Sequence, residues 1–178
     1  MSTAEPTQQA LPTGTWNADP VHSTLGFSID YMAGTFYATF SKFEARIEDG
    51  ALRGTADVAS AQVKDLTLEG HLQSPEFFDV ERHPQLVFEA REITRSGNEV
   101  TIAGDITIKG HTEPVELRGT ITEPMGDQFG GERFGLRLEA TVDRTAFGLN
   151  WNLPLPTGEP ALANDVKISA DLQFVREG

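Results

Sequence analysis

Cysteine is absent from the 178 residues, and disulfides, thiolate metal sites and cysteine nucleophiles go with it. Basic side chains are few: 14 Lys and Arg stand against 27 Asp and Glu, a net charge of −13. Nucleic acids and anionic membranes are held through phosphate contacts by a basic surface, so neither is an expected partner. The acidic excess reads as a solvated exterior. No apolar run approaches the length of a membrane span. The opening MSTAEPTQQALPTG has neither a basic start nor an apolar stretch, so no secretory signal is read there. A disordered lead-in is expected over 1–14, followed by a single domain over 15–176. The expected location is cytoplasmic, or periplasmic if a signal peptide was removed.

Helical periodicity is nearly as scarce, and alternation of period two takes its place. In EVTIAGDITIK, Val100, Ile102, Ile106 and Ile108 share one face while Thr101, Asp105 and Thr107 share the other. VELRGTI, RFGLRLEATVD and DVKISADLQF repeat the pattern, which is the mark of antiparallel strands with one buried and one wet face. Within FYATFSKFEARI the apolar set Phe36, Ala38, Phe40 slips by one residue to Phe43, Ala45, Ile47, as a β-bulge would make it. Eight strands are expected, near 22–30, 36–48, 53–63, 85–95, 99–109, 114–123, 132–143 and 165–175. Long antiparallel strands with little helix fit an up-and-down barrel or a sandwich. Alternation stops at 64–84, where Leu68 and Leu72 lie four apart and Ser74-Pro75 reads as a helix start. That stretch is expected to be a short helical crossover carrying the adjacent Phe77 and Phe78.

Catalytic motifs are missing too. There is no G-x-S-x-G elbow, and no glycine-rich loop is followed by a helix that would cradle phosphate. The histidines, His22, His71, His83 and His111, form no H-x-H or H-E-x-x-H pair, so no metal site and no cofactor are implied. His22 and His71 are the better candidates for buried polar roles. A barrel of eight strands is just wide enough to be filled by side chains or to hold one small ligand. Small residues at inward positions (Ala38, Ala45, Ala90, Gly104, Gly119, Ala140, Ala170) hint at a cavity. The chain reads as a container.

Four blocks in one order, DPVHSTLGFSI, SPEFFDVERHP with LVFEA following, GDITIKGHTEPVEL and VDRTAFGLNW, closely resemble the YceI-like family of lipid-binding proteins. The resemblance runs over about 15–176. It implies an all-β fold, an extended eight-stranded antiparallel, lipocalin-like β-barrel with an apolar pore, here with a short helical crossover around 66–80. It implies a soluble, non-enzymatic carrier for a long isoprenoid, an isoprenoid quinone or a fatty-acid derivative, with a homodimer as one expected assembly. The motif positions carried over are His22-Ser23, His71-Leu72, Phe77-Phe78-Asp79-Val80, Asp143-Arg144-Thr145 and Phe147-Gly148. Two departures stand out: Tyr31 precedes Met32 where the family often has histidine, and Leu68-Glu69 stand where it often has Arg-Asp.

The expected ligand-binding residues come from four regions. Leu25, Phe27 and Ile29 belong to the first strand, Met32 follows it, and Phe36, Phe40 and Phe43 belong to the second. His71, Leu72, Phe77 and Phe78 belong to the crossover; Phe88, Phe147 and Trp151 complete the set. Phe77 and Phe78 are expected to form a lid, with Leu149 and Trp151 over a second part of the opening. Two alternatives stand beside the carrier: an enzyme acting on an apolar substrate through His22 or His71, and a protein-interaction module with a filled core.

Overall fold

The computed structural model describes residues 10–177. In chain order the strands are β1 Thr15–Ala18, β2 Thr24–Tyr31, β3 Gly34–Phe40, β4 Phe43–Glu48, β5 Ala51–Asp57 and β6 Ala61–Gln62. After helix α1, Leu66–Gln73, come β7 Gln85–Ser96, β8 Glu99–Ile108, β9 His111–Ile121, β10 Met125–Gly126, β11 Glu132–Asp143 and β12 Leu162–Arg176. Three staves of the barrel are each broken in two. β1 and β2 both lie along β12. They pair on their other side with β4 and β3, which pair in turn with β5 and β6. The ladder continues β5–β7–β8–β9–β11, and β11 closes it onto β12. The result is a closed eight-stranded antiparallel barrel, which leaves no continuous open edge to template aggregation.

The expected bulge in the second strand is a larger feature. Ser41 and Lys42 leave the ladder altogether, and the neighbouring stave breaks beside them in a 3₁₀ turn at Val58–Ser60. The two breaks are stitched together: Ser41 N donates to Ser60 O at 3.1 Å, Lys42 N to Ser60 Oγ at 3.0 Å and Asp57 N to Lys42 O at 2.9 Å. The first stave breaks at 19–23. One crease therefore crosses three adjacent staves, and a single-strand alternation pattern shows only its local phase slip. β1, four residues long, was not among the expected strands, because TWNA offers too few positions for alternation.

The crossover also differs in detail. α1 starts at Asp65, whose carboxylate accepts from Thr67 N at 2.8 Å and Leu68 N at 3.1 Å. Ser74 is its C-terminal cap, with ψ 166° imposed by the following Pro75, so the expected helix start there is corrected to a helix stop. Phe77 and Phe78 follow in turns: Phe77 N donates to Ser74 O and Phe78 N to Leu72 O, both at 3.0 Å. Asp79, at φ 51°, completes the reversal. Of the expected lead-in, residues 1–9 lie outside the described residues, whereas Leu11 is 1% exposed and belongs to the core. Among the described residues no helix is long and apolar enough to cross a membrane.

Candidate functional site

Inward-facing side chains fill one end of the barrel. Trp16 meets Phe134 edge-on at 4.8 Å, Phe134 stacks on Phe174 at 5.3 Å, and the Arg176 guanidinium lies 4.5 Å from the centre of the Trp16 ring. Ile47, Leu136 and Leu11 pack around them with almost no exposure. Outside this end a polar clasp holds the first crease: Arg133 bonds Asp19 at 3.1 Å and Asp127 at 3.0 Å, and His22 Nδ1 lies 2.7 Å from Asp19. The hydrogen bond from His22, with those of Arg133 and Val21 N, holds the Asp19 carboxyl down from 3.8 to about 2.

The other end is hollow. A cavity of about 180 Å³ lies between β2, β3, β7, β8, β12 and α1. Its wall is apolar almost throughout; Tyr31, His71 and Arg144 are the polar side chains that reach it. Phe27 centres an aromatic cluster, 6.3 Å from Phe36, 5.8 Å from Phe40 and 6.2 Å from Phe78. A second cluster sits at the mouth, where the His71 ring meets Phe77 and Trp151 edge-on, each at 4.8 Å. Phe77 and Trp151 are 5.3 Å apart, so the crossover and the segment after β11 touch through these rings. His71 Nε2 faces Glu76 at 3.3 Å on the rim. Lys109 Nζ ties the same two segments together, bonding Pro75 O at 2.7 Å and Gly148 O at 3.5 Å.

Arg144 is 3% exposed, yet among the described residues no carboxylate pairs with it. Its neighbour Asp143 spends its carboxylate on Thr145, accepting from N at 2.9 Å and from Oγ at 2.6 Å. The guanidinium donates instead to backbone carbonyls: Nε to Ala163 at 2.7 Å, Nη1 to Leu149 at 2.5 Å and Trp151 at 2.9 Å, Nη2 to Leu162 at 3.5 Å. It thereby holds the 149–163 segment over the cavity. Burial pushes its pKa below the usual arginine value.

Of the residues expected from sequence, Leu25, Phe27, Ile29, Phe36, Phe40, His71, Leu72, Phe77, Phe78, Phe147 and Trp151 line this cavity. Three do not. Met32 is 61% exposed at φ 52°, because it and Ala33 form the two-residue turn that joins Tyr31 to its ladder partner Gly34. Phe43 lies beyond the crease in β4, packed against the filled core. Phe88 is buried, its ring occupying the space where a Cβ on Gly104 would stand. His22 is also corrected: it is exposed in the clasp and lies outside the cavity, so it does not meet His71.

The small inward residues do not make the cavity either. None of the seven named lines it. Added methyl groups at Gly104 and Gly119 would meet the Phe88 ring and the Arg137 backbone, respectively. Those positions are small to admit close neighbours. Liners missed from sequence include Ile106, Ile108, Val142, Val166 and Ile168, which alternation had placed inward without saying which end they serve. Tyr31, Leu68, Leu86, Arg144 and Leu162 were missed as well, and only the long-range ladder brings them together.

Comparison with known proteins agrees with this architecture. The YceI-like domain matches residues 16–174. A UPF0312 protein of Staphylococcus epidermidis is 31% identical over 171 residues, covering 89% of this chain and 96% of the relative. One from Staphylococcus aureus is 31% identical over 168 residues, covering 88% and 94%. Among solved structures, Burkholderia cenocepacia BcnA aligns with a TM-score of 0.73 at 22% identity, over 88% of this chain and 98% of that one. A polyisoprenoid binding domain from Saccharophagus degradans aligns with a TM-score of 0.71 at 10% identity, over 91% and 98%. At these identities the structural likeness concerns the fold.

Proposed function

The chain belongs to the YceI-like family, and from that premise we propose that it binds and carries a long apolar lipid, a polyisoprenoid or an isoprenoid quinone, with its chain in the hollow end of the barrel. The observation that carries the reading is the cavity itself, walled almost throughout by apolar side chains, in a barrel whose other end is filled by Trp16, Phe134 and Phe174. Binding then comes from apolar burial, at about 25 cal/mol per Å² before ordering costs. The polyisoprenoid-binding neighbour from Saccharophagus degradans supports the same ligand class.

The size of the void adds a condition. An apolar cavity of about 150 Å³ takes a ring the size of benzene, and this one measures about 180 Å³. A long chain therefore enters only if Phe77, Trp151 and the 149–161 segment give way at the mouth. The expected liners that do wall the cavity are the proposed contacts. A fatty-acid derivative, a cytoplasmic station and a homodimer belong to the same proposal. Native mass spectrometry followed by organic extraction tests it: a discrete added mass that extracts as an isoprenoid or acyl lipid is the expected result. A clean apo mass that quinones and fatty acids do not change would overturn it.

A further inference from the structure

Among the described residues, every other buried charge has an ionic neighbour. Asp79, 8% exposed, has Arg82 at 3.8 Å. Arg144, 3% exposed, has none among the described residues. Four of its five N–H groups are directed at carbonyls of residues 149, 151, 162 and 163, one of them at the long distance of 3.5 Å. The fifth, on Nη2, has no acceptor among the described residues. Carbonyls satisfy hydrogen-bonding capacity without pairing the charge, and the field of the neighbouring Asp143 offsets it less than burial opposes it, so the guanidinium is costly to bury. The same side chain reaches the cavity, whose other liners carry no carboxylate.

We propose that the ligand held in this cavity is a single-tailed anionic lipid, a carboxylate or a phosphate monoester, whose head group is held by Arg144. This rests on the lipid-carrier reading and narrows it. The overall charge of −13 does not oppose it, because exposed charges beyond about 8–10 Å are screened while the buried guanidinium is not. An anion gains a charge-assisted bond from Nη2 and compensates the buried charge. A neutral alcohol or quinone of the same tail gains only burial. The same guanidinium bonds carbonyls of the 149–163 segment, so a head group held by it also steadies that segment over the tail.

The test compares one tail with three heads on the intact protein: farnesol, farnesoic acid and farnesyl monophosphate, titrated by calorimetry at one pH and salt. The expected result is that the acid, the phosphate or both bind roughly 10- to 100-fold tighter than the alcohol. Which of them does so tells carboxylate from phosphate. Equal or tighter binding of farnesol overturns the anionic head while leaving the lipid carrier intact. No binding of any of the three overturns the carrier reading and this inference together. Arg144→Gln and Arg144→Lys, checked for folding by thermal melting, provide the second arm. The anion-to-alcohol ratio should collapse towards one in the Gln variant and recover in part with Lys. A ratio that survives Arg144→Gln in a folded protein also overturns the proposal, and the wild-type comparison decides the matter if that variant does not fold.

Discussion

Along β12, Leu172 and Phe174 face Leu136 and Phe134 across the ladder and are buried, whereas Val166 and Ile168, a few residues earlier on the same face, stand opposite Ile29 and Phe27 and border empty space. Both ends use the same alternation and the same kinds of side chain. They differ in what crosses the barrel axis. At the closed end three aromatic rings interlock. At the open end, beyond the crease, the cover is supplied by α1 and the 149–161 segment, neither of which is part of the barrel wall. Burial at the closed end is tied to the global fold. Burial at the open end depends on two segments that meet through Phe77, His71 and Trp151.

The largest effects should separate stability from affinity. Phe174→Ala or Trp16→Ala removes a fully buried ring from a packed site and is expected to cost about 3–5 kcal/mol, read as a fall in thermal midpoint at roughly 2–4 °C per kcal/mol. Affinity for a lipid, measured where the variant is still folded, should hardly change. The lid residues should behave the other way. Phe77→Ala and Phe78→Ala are expected to lower the affinity for an isoprenoid several-fold with a stability loss below that of the closed-end pair. If both leave affinity and melting unchanged, the lid account is wrong.

Next in size is a pH effect at the polar clasp of the closed end. Asp19 titrates at about 2 in the fold instead of 3.8, so its contribution to stability is whole above about pH 4 and is lost as pH falls towards 2. Urea unfolding between pH 5 and pH 2 should show this slope, and Asp19→Asn should lessen it without altering ligand affinity, the lowered carboxyls of Asp127, Asp143 and Glu177 supplying the rest. The smallest effect belongs to Met32, exposed in a turn at positive φ. Met32→Asn should leave affinity unchanged and shift stability by less than about 0.5 kcal/mol, slightly upwards since Asn tolerates that conformation better. A marked loss of affinity would return Met32 to the binding site.

The same contrast explains what could be read from the chain. Strand alternation is local, so the barrel class and most inward residues were legible, from Val100–Ile108 through Leu172–Phe174. The break at Ser41-Lys42 appeared only as a phase slip, because its meaning lies in a stitch to Ser60 in the next stave. Phe88 looks like a liner on one strand and becomes core only because its ring reaches diagonally across the ladder over Gly104, the partner of Ala90. Ser74-Pro75 carries the chemistry of a helix start, and Asp65, a better cap with two bonds, took that role nine residues earlier. The charge on Arg144 was visible, but its isolation from carboxylates depends on where Asp143 turns, which only the folded chain decides.

The two tryptophans of the chain stand one at each end, and this allows the most direct test. Single-tryptophan proteins made by Trp16→Phe and Trp151→Phe are titrated with a C15 isoprenoid and followed by emission. The account predicts that emission from Trp151 changes in intensity or wavelength and saturates with the calorimetric affinity, while Trp16 emission stays constant. A saturable change at Trp16 with none at Trp151 would contradict a ligand site at the hollow end.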